Sequence, residues 1–387
     1  MTKLMGKSIR KICVPISTRG NYAKLKSTLI AINNNKKLKL QLVLAGSILL
    51  DSYGNFKKII EEDGFFISEE VPFLLKGDSK EIMAISSGIA QKEFAKCLSR
   101  LKPDIVLITA DRFESLSFAQ SALCMNCCIA HLEGGEVSGS IDERIRHAIT
   151  KLSHYHFVSN KESAERVRLL GELEKNIIVS GNPSIDIINQ LNLNNNKNLQ
   201  FFLKSNQLLI NTNEPYLVIS QHPVVTEVGS FLYQIKETFK ALENFKLQKL
   251  WILPNLDAGF NTVKDFLQNQ NLDQMKLSII SSLPFDLYSV LLKKCSCLIG
   301  NSSSGIRECS YLGVPAVNIG NRQFGRLRGE NTIDCDYSEK SIKEAIKFQI
   351  DHGQYSSSKI YGCGNSGEII SDNLSQFDLF LDKTITF

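Results

Sequence analysis

The 387-residue sequence predicts an α/β protein made of two successive halves, each built on a parallel sheet. Three observations predict it. Short apolar, β-rich runs alternate with amphipathic segments of helix length. The alternation is broken once, near residue 190, by a stretch dense in Asn and Leu. The polar residues able to do chemistry stand just after the apolar runs rather than inside them.

In chain order, the first half carries runs at Ile12–Ile16, Leu40–Ala45, Ile105–Ile108, Cys128–Leu132, His156–Ser159 and Ile177–Ser180. They are continuous rather than alternating in hydropathy, as strands covered by helices on both faces must be. Turn-forming residues cluster over Gln190–Glu214, which places a domain boundary near residue 190. The second half repeats the pattern at Tyr216–Ser220, Leu250–Leu253, Leu277–Ile280, Cys297–Ile299 and Ala316–Ile319. Over Gly364–Phe387, Ile369, Ile370, Leu374, Phe377 and Leu381 recur at helical spacing, predicting a terminal helix that crosses back to brace the first half. The expected divisions are therefore 1–190, 191–363 and 364–387.

Composition narrows the function. A net charge of +5 with scattered Lys and Arg disfavours a nucleic-acid partner. No stretch reaches the ~18 uninterrupted apolar residues of a membrane span. The basic start, Met1–Arg10, leads into a strand-like run rather than a signal-peptide core, so a cytoplasmic location is expected. Among ten cysteines, Cys124 and Cys127 have the spacing of a metal half-site, but no second half-site matches; reduced thiols and no metal are expected.

The most informative stretch is Gly300–Glu308, which follows the run Cys297–Ile299 and reads as strand, tight turn and helix start. Free N–H groups at a helix N-terminus, the helix dipole and the hydroxyls of Ser302 and Ser303 suit a phosphate, although Ser is also an ordinary helix cap. Other polar motifs also stand at strand ends: Arg19, Asp111-Arg112, Glu133, Gln221-His222 and Asn255-Leu256-Asp257. In open α/β sheets ligands bind there, and two facing halves would put these loops across one cleft. No Gly-x-Gly-x-x-Gly follows the first strand, which disfavours a nicotinamide cofactor.

The densest polar cluster is His131–Asp142, rich in glycine, leading into a helix through Arg146. Glu133 and Asp142 are candidates for a carboxylate pair that removes a proton from one face of a substrate and returns one to the other. A helix-terminal charge is the other reading of Asp142. Arg19, Arg112 and Arg322 sit in loops where a guanidinium fork could clamp phosphate oxygens. Glu308, placed about one and a half turns into the serine-led helix, could accept ribose hydroxyls. Together they suggest a nucleoside diphosphate carrying a sugar.

Thr18–Tyr22, Leu101–Asp104, Asp111–Phe113, His131–Asp142, Gln221–Pro223, Pro254–Asp257, Gly300–Glu308 and Asn318–Asn331, in this order over nearly the whole chain, resemble the hydrolysing UDP-N-acetylglucosamine 2-epimerases. The epimerase half of the vertebrate bifunctional epimerase/kinase is similar. The resemblance implies two facing Rossmann-like domains of the GT-B type with a C-terminal helix returning to the first. It implies release of UDP and N-acetylmannosamine, for sialic acid synthesis, without a cofactor or metal, by a homo-oligomer (dimer or tetramer). By motif, Asp111, Glu133 and Asp142 would be the acid–base set, with His222 stabilising the leaving diphosphate. Arg19, Arg112, Ser302, Ser303 and Arg322 would hold phosphates, Asn255 and Glu308 the nucleoside, and the backbone near Leu283 the base. Asn21 departs from the acidic residue usual in the family. Three alternatives stay open: the same chemistry on the 2,4-diacetamido-6-deoxy nucleotide sugar of the legionaminic acid route, a GT-B glycosyltransferase, and a nucleotide-sugar sensor.

Overall fold

The computed structural model describes residues 9–50, 56–77, 79–109, 111–254 and 260–386, without the side chains of Val225, Thr226 and Val228. The chain forms two compact units. The first runs through Glu136 and resumes over Asp142–Asn189 and from Tyr361; the second holds Val137–Ile141 and Gln190–Ile360. The chain passes from one unit to the other after Glu136, Ile141, Asn189 and Ile360, and the short excursion at 137–141 has no counterpart in the expected divisions 1–190, 191–363 and 364–387.

The first unit is built on strands β1 (Arg10–Ile16), β2 (Leu38–Ala45), β3 (Ile67–Val71), β4 (Ile105–Thr109), β5 (Cys128–Leu132), β6 (Tyr155–Val158) and β7 (Ile177–Val179). All pair parallel, in the order β3-β2-β1-β4-β5-β6-β7. The second unit carries β8 (Tyr216–Ser220), β9 (Gln248–Ile252), β10 (Leu277–Ile280), β11 (Cys297–Gly300), β12 (Ala316–Ile319) and β13 (Thr332–Cys335), again parallel, in the order β10-β9-β8-β11-β12-β13. Each sheet therefore winds outward from its first strand, reverses, and winds the other way, which is the Rossmann order. The reversal lies between β1 and β4 in one unit and between β8 and β11 in the other.

Strands β3 and β13 are not among the apolar runs of the sequence. Both are edge strands, and their sequences, Ile-Ser-Glu-Glu-Val and Thr-Ile-Asp-Cys, carry charge because only one side of an edge is covered. The central strands β1, β4, β5, β8 and β11 are instead almost wholly buried, and their side chains form the two cores.

The C-terminal segment belongs to the first unit, but its helix, α14, spans only Ser366–Gln376 and not the whole of 364–387. It packs on α1 (Arg19–Asn34), where Gly367 meets the Ser27 backbone so closely that a Cβ would lie 2.8 Å from it. Asp186 caps its N-terminus, accepting from the Ser366 and Gly367 amides at 3.0 and 2.7 Å. At the other end the Arg10 guanidinium binds the carbonyls of Leu374 and Phe377, and Phe377 stacks on Tyr155 with ring centroids 3.5 Å apart. These contacts replace the next helical turn, so the chain continues extended.

Candidate active site

In the first unit the sheet reversal is flanked by two helix starts. Thr18, just beyond β1, caps α1 by accepting from the Asn21 amide at 3.2 Å, and Arg19 opens that helix with its guanidinium 5.9 Å over the Phe56 ring. Beyond β4, Asp111 and Arg112 lead into α4 (Phe113–Cys124). Glu114, buried in the first turn of α4, links the two loops. One of its oxygens accepts from Ser17 Oγ at 2.6 Å and from Arg112 Nε at 2.7 Å. Arg19 and Arg112 are thus placed at neighbouring strand ends, where two sets of helix N-terminal amides also point.

Strands β4 and β5 are paired through Thr109 and Leu132, so Asp111 and Glu133 leave adjacent strand ends. Glu133 takes a left-handed backbone (φ +70°), uncommon for a residue with a side chain, and its amide donates to Phe157 O at 2.9 Å. Its carboxylate is 2% exposed, accepts from Asn182 Nδ2 at 2.8 Å and lies 3.7 Å from Lys24 Nζ. Asn182 is itself held, its Oδ1 accepting from the Ser184 amide and hydroxyl at 3.0 and 2.8 Å. A buried carboxylate needs this kind of compensation to stay in place.

Asp142 opens α5 (Asp142–Leu152), and Arg146 lies one turn further on the same face. Arg146 is 1% exposed; it forms an ion pair with Asp111 and donates at 2.8 Å both to the Glu136 carbonyl and to Glu143. Burial opposes its charge, but the surrounding Asp111, Glu136 and Glu143 carboxylates outweigh burial and hold the guanidinium above its ordinary pKa. Through Arg146 the structure brings Asp111 and the start of α5 together. Glu136 is a buried acceptor for Ser159 Oγ at 2.7 Å, in keeping with a turn residue.

In the second unit Gly300 ends β11 at φ +133°, where a Cβ would stand 2.2 Å from Ser220 O, so glycine is required. The segment after it departs from expectation. Ser302 caps a single 3-10 turn, Ser303–Gly305, by accepting from the Ser304 amide at 3.3 Å; the α-helix that follows, α12 (Glu308–Leu312), starts only at Glu308. Three serines and a glycine favour turn over helix. Glu308 therefore opens α12, buried, instead of lying within a longer serine-led helix. His222 lies just past β8, its Nε2 3.4 Å from Ser220 Oγ. Arg322 donates to the Asn301 carbonyl at 3.0 Å. Leu283 is partly buried next to Pro284, the cap of α11 (Phe285–Lys294). Asn255 lies outside the described residues.

Several residues that the sequence reading did not single out emerge here: Lys24, Glu114, Asn182 and Asn301. Asn182 had a readable signal, since Ser180-Gly-Asn-Pro183 follows a strand and puts Pro at the first position of α7 (Pro183–Gln190). Lys24 and Glu114 lie inside helices and carry none. Among the described residues no group of three or more His, Cys, Asp or Glu could hold a metal ion, all ten cysteines are free thiols, and no helix is long and apolar enough to cross a membrane.

A family model described as UDP-N-acetylglucosamine 2-epimerase matches residues 30–375. A GDP/UDP-N,N'-diacetylbacillosamine 2-epimerase (hydrolyzing) of Campylobacter jejuni is 36% identical over 335 residues, 86% of each chain. A UDP-N-acetylglucosamine 2-epimerase of Neisseria meningitidis is 30% identical over 357 residues, 92% of each chain. Among solved structures, that of UDP-GlcNAc 2-epimerase from Neisseria meningitidis bound to UDP-GlcNAc superposes with a TM-score of 0.78 at 15% identity, covering 94% of this chain and 99% of the other.

Proposed function

The chain belongs to the UDP-N-acetylglucosamine 2-epimerase family, and we propose that it is a hydrolysing 2-epimerase whose substrate is a UDP-linked sugar with acetamido groups at carbons 2 and 4. The observation that carries the chemistry is the carboxylate set Asp111, Glu133 and Asp142 at adjacent strand ends and the start of α5, with buried Arg146 and Asn182 fixing two of its surroundings. In this reading one carboxylate takes the proton from sugar carbon 2 while the bond from carbon 1 to the diphosphate oxygen breaks. UDP leaves with that electron pair, giving a 2-acetamidoglucal. Water then adds at carbon 1, and carbon 2 takes a proton from the opposite face, so the free sugar is released inverted at carbon 2. His222, Arg19, Arg112, Ser302, Ser303 and Arg322 hold the charge that develops on the leaving diphosphate. Glu308, Asn255 and the backbone at Leu283 receive the nucleoside.

The diacetamido sugar is preferred because the relative of that specificity is 36% identical, against 30% for the relative acting on UDP-N-acetylglucosamine. UDP-N-acetylglucosamine is the second reading. Either product suits nonulosonic acid synthesis, and a cytoplasmic homo-oligomer is part of the proposal.

The test is proton NMR of the protein with each nucleotide sugar separately in deuterated water. Free UDP and a 2-epimeric sugar deuterated at carbon 2 are expected, faster from the diacetamido substrate. Faster turnover of UDP-N-acetylglucosamine would reverse the substrate preference. Sugar transfer to an acceptor without deuteration at carbon 2 would overturn the reaction itself.

A further inference from the structure

The second unit contains a largely buried hydrogen-bonded chain that joins four of the sequence motifs. Asn301 is fully buried and grips both backbone groups of His222: its Oδ1 accepts from the His222 amide at 2.7 Å and its Nδ2 donates to the His222 carbonyl at 2.8 Å. The carbonyl of Asn301 in turn accepts from Arg322 Nη1 at 3.0 Å and from Gln323 Nε2 at 2.8 Å. Gln323, 1% exposed, passes the chain on, its Oε1 accepting from Arg326 Nη1 at 2.9 Å. Arg326, 9% exposed, donates through Nε to the Val137 carbonyl at 3.1 Å. The Gly139 amide closes the circuit on the Arg322 carbonyl at 3.0 Å. The fit at Gly139 is tight, since a Cβ there would stand 2.0 Å from Asn321 O.

We infer that Asn301, Gln323 and Arg326 are positioning residues, forming one relay that sets His222 and Arg322 and fixes Val137–Ile141, the segment leading into Asp142. The inference rests on the reading of His222 and Arg322 as groups that hold the diphosphate. The links through Asn301, Gln323 and Arg326 are made by buried amides and a buried guanidinium with defined donors and acceptors, so displacement along them is not absorbed by solvent. Val137–Ile141 is bounded in sequence by Glu136 and by Asp142, the first residue of α5. The relay ties Val137–Ile141 to the loop that, in the proposed reading, receives the leaving group.

The test uses the full chain with Arg326→Met, Arg326→Lys and Asn301→Asp. Arg326→Met breaks the relay at Val137 while leaving Arg322 in place. Turnover is expected to fall about 30-fold with UDP affinity held within about threefold, and Arg326→Lys, which lacks the planar fork, is expected to recover less than half of the loss. Asn301→Asp keeps the acceptor for the His222 amide and loses the donor to its carbonyl; it should weaken UDP binding as well as turnover. Amide hydrogen exchange of 137–141 gives a readout independent of turnover: UDP should slow it in the wild type and not in Arg326→Met. Turnover within twofold of wild type in folded Arg326→Met, or equal protection of 137–141 by UDP in both proteins, would overturn the relay. A wild type that binds UDP, protects 137–141 and turns over neither nucleotide sugar would sink the functional reading and leave the relay standing.

Discussion

The two units share one strand order but dress the reversal point of their sheets differently. In the first, the strand ends and the helix start after β4 carry the carboxylates Asp111, Glu133 and Glu114, matched to the cationic partners Arg146, Lys24 and Arg112 respectively. In the second, the corresponding loops after β8 and β11 carry an imidazole, amides and hydroxyls, with Arg322 arriving from beyond β12. A shared topology fixes where polar groups emerge and leaves their chemistry to the loop residues. In the proposed reading the first unit's carboxylates move protons, with Arg19 and Arg112 beside them for the diphosphate, and the second unit's groups hold the anion.

Three substitutions sharpen or break that division of labour. The largest effect is expected from Glu133→Gln. It keeps the shape and removes the acid–base group, so turnover should fall by about 10³-fold or more with UDP affinity little changed. NMR turnover and calorimetric UDP binding measure both, and a parallel loss of binding would mean that Glu133 belongs to the anion-holding side. Next is Arg322→Ala in the second unit. Loss of a charge-assisted contact should weaken UDP binding by about 2 kcal/mol, roughly 30-fold, and flatten the salt dependence of binding. An unchanged dissociation constant would remove Arg322 from the phosphate site.

The smallest effect on function concerns a cluster in the first unit that lies away from the strand ends. Burial would raise the pKa of Glu172, but His156 at 3.0 Å and Lys151 and Lys383, each at 2.7 Å, outweigh it and bring the carboxyl from 4.5 down to about 2. A depressed carboxyl contributes stability above its unfolded pKa and loses it as pH falls. The contribution, about 3 kcal/mol, should therefore be present above pH 4.5 and fade toward pH 2. Glu172→Gln should lower stability in denaturant by about that amount, flatten the acid limb of the stability profile, and leave the turnover per folded molecule unchanged. A change in turnover would show that proton chemistry extends beyond the strand ends.

Much of this was legible in the sequence because parallel strands covered on both faces must be continuous apolar runs. The central strands, the turn at Gly300 and the placement of Asp111, Glu133 and His222 at strand ends all follow from local pattern. The edge strands β3 and β13 were not legible because an edge tolerates charge and these two carry it, whereas the edge strands β7 and β10 keep an apolar sequence. The length of the terminal helix also escaped, because Arg10 and Tyr155, hundreds of residues away in sequence, decide where it stops.

The sequence by itself determined that there are two α/β halves and which residues stand at their strand ends, since both depend on spacing along the chain. Tertiary structure alone decided which polar groups are paired and with what: Arg146 with Asp111, Asn182 and Lys24 with Glu133, Asn301 with the His222 backbone. The physical reason is that a buried polar group takes its partner from whatever the fold brings within about 3 Å, and that partner has no fixed distance in sequence.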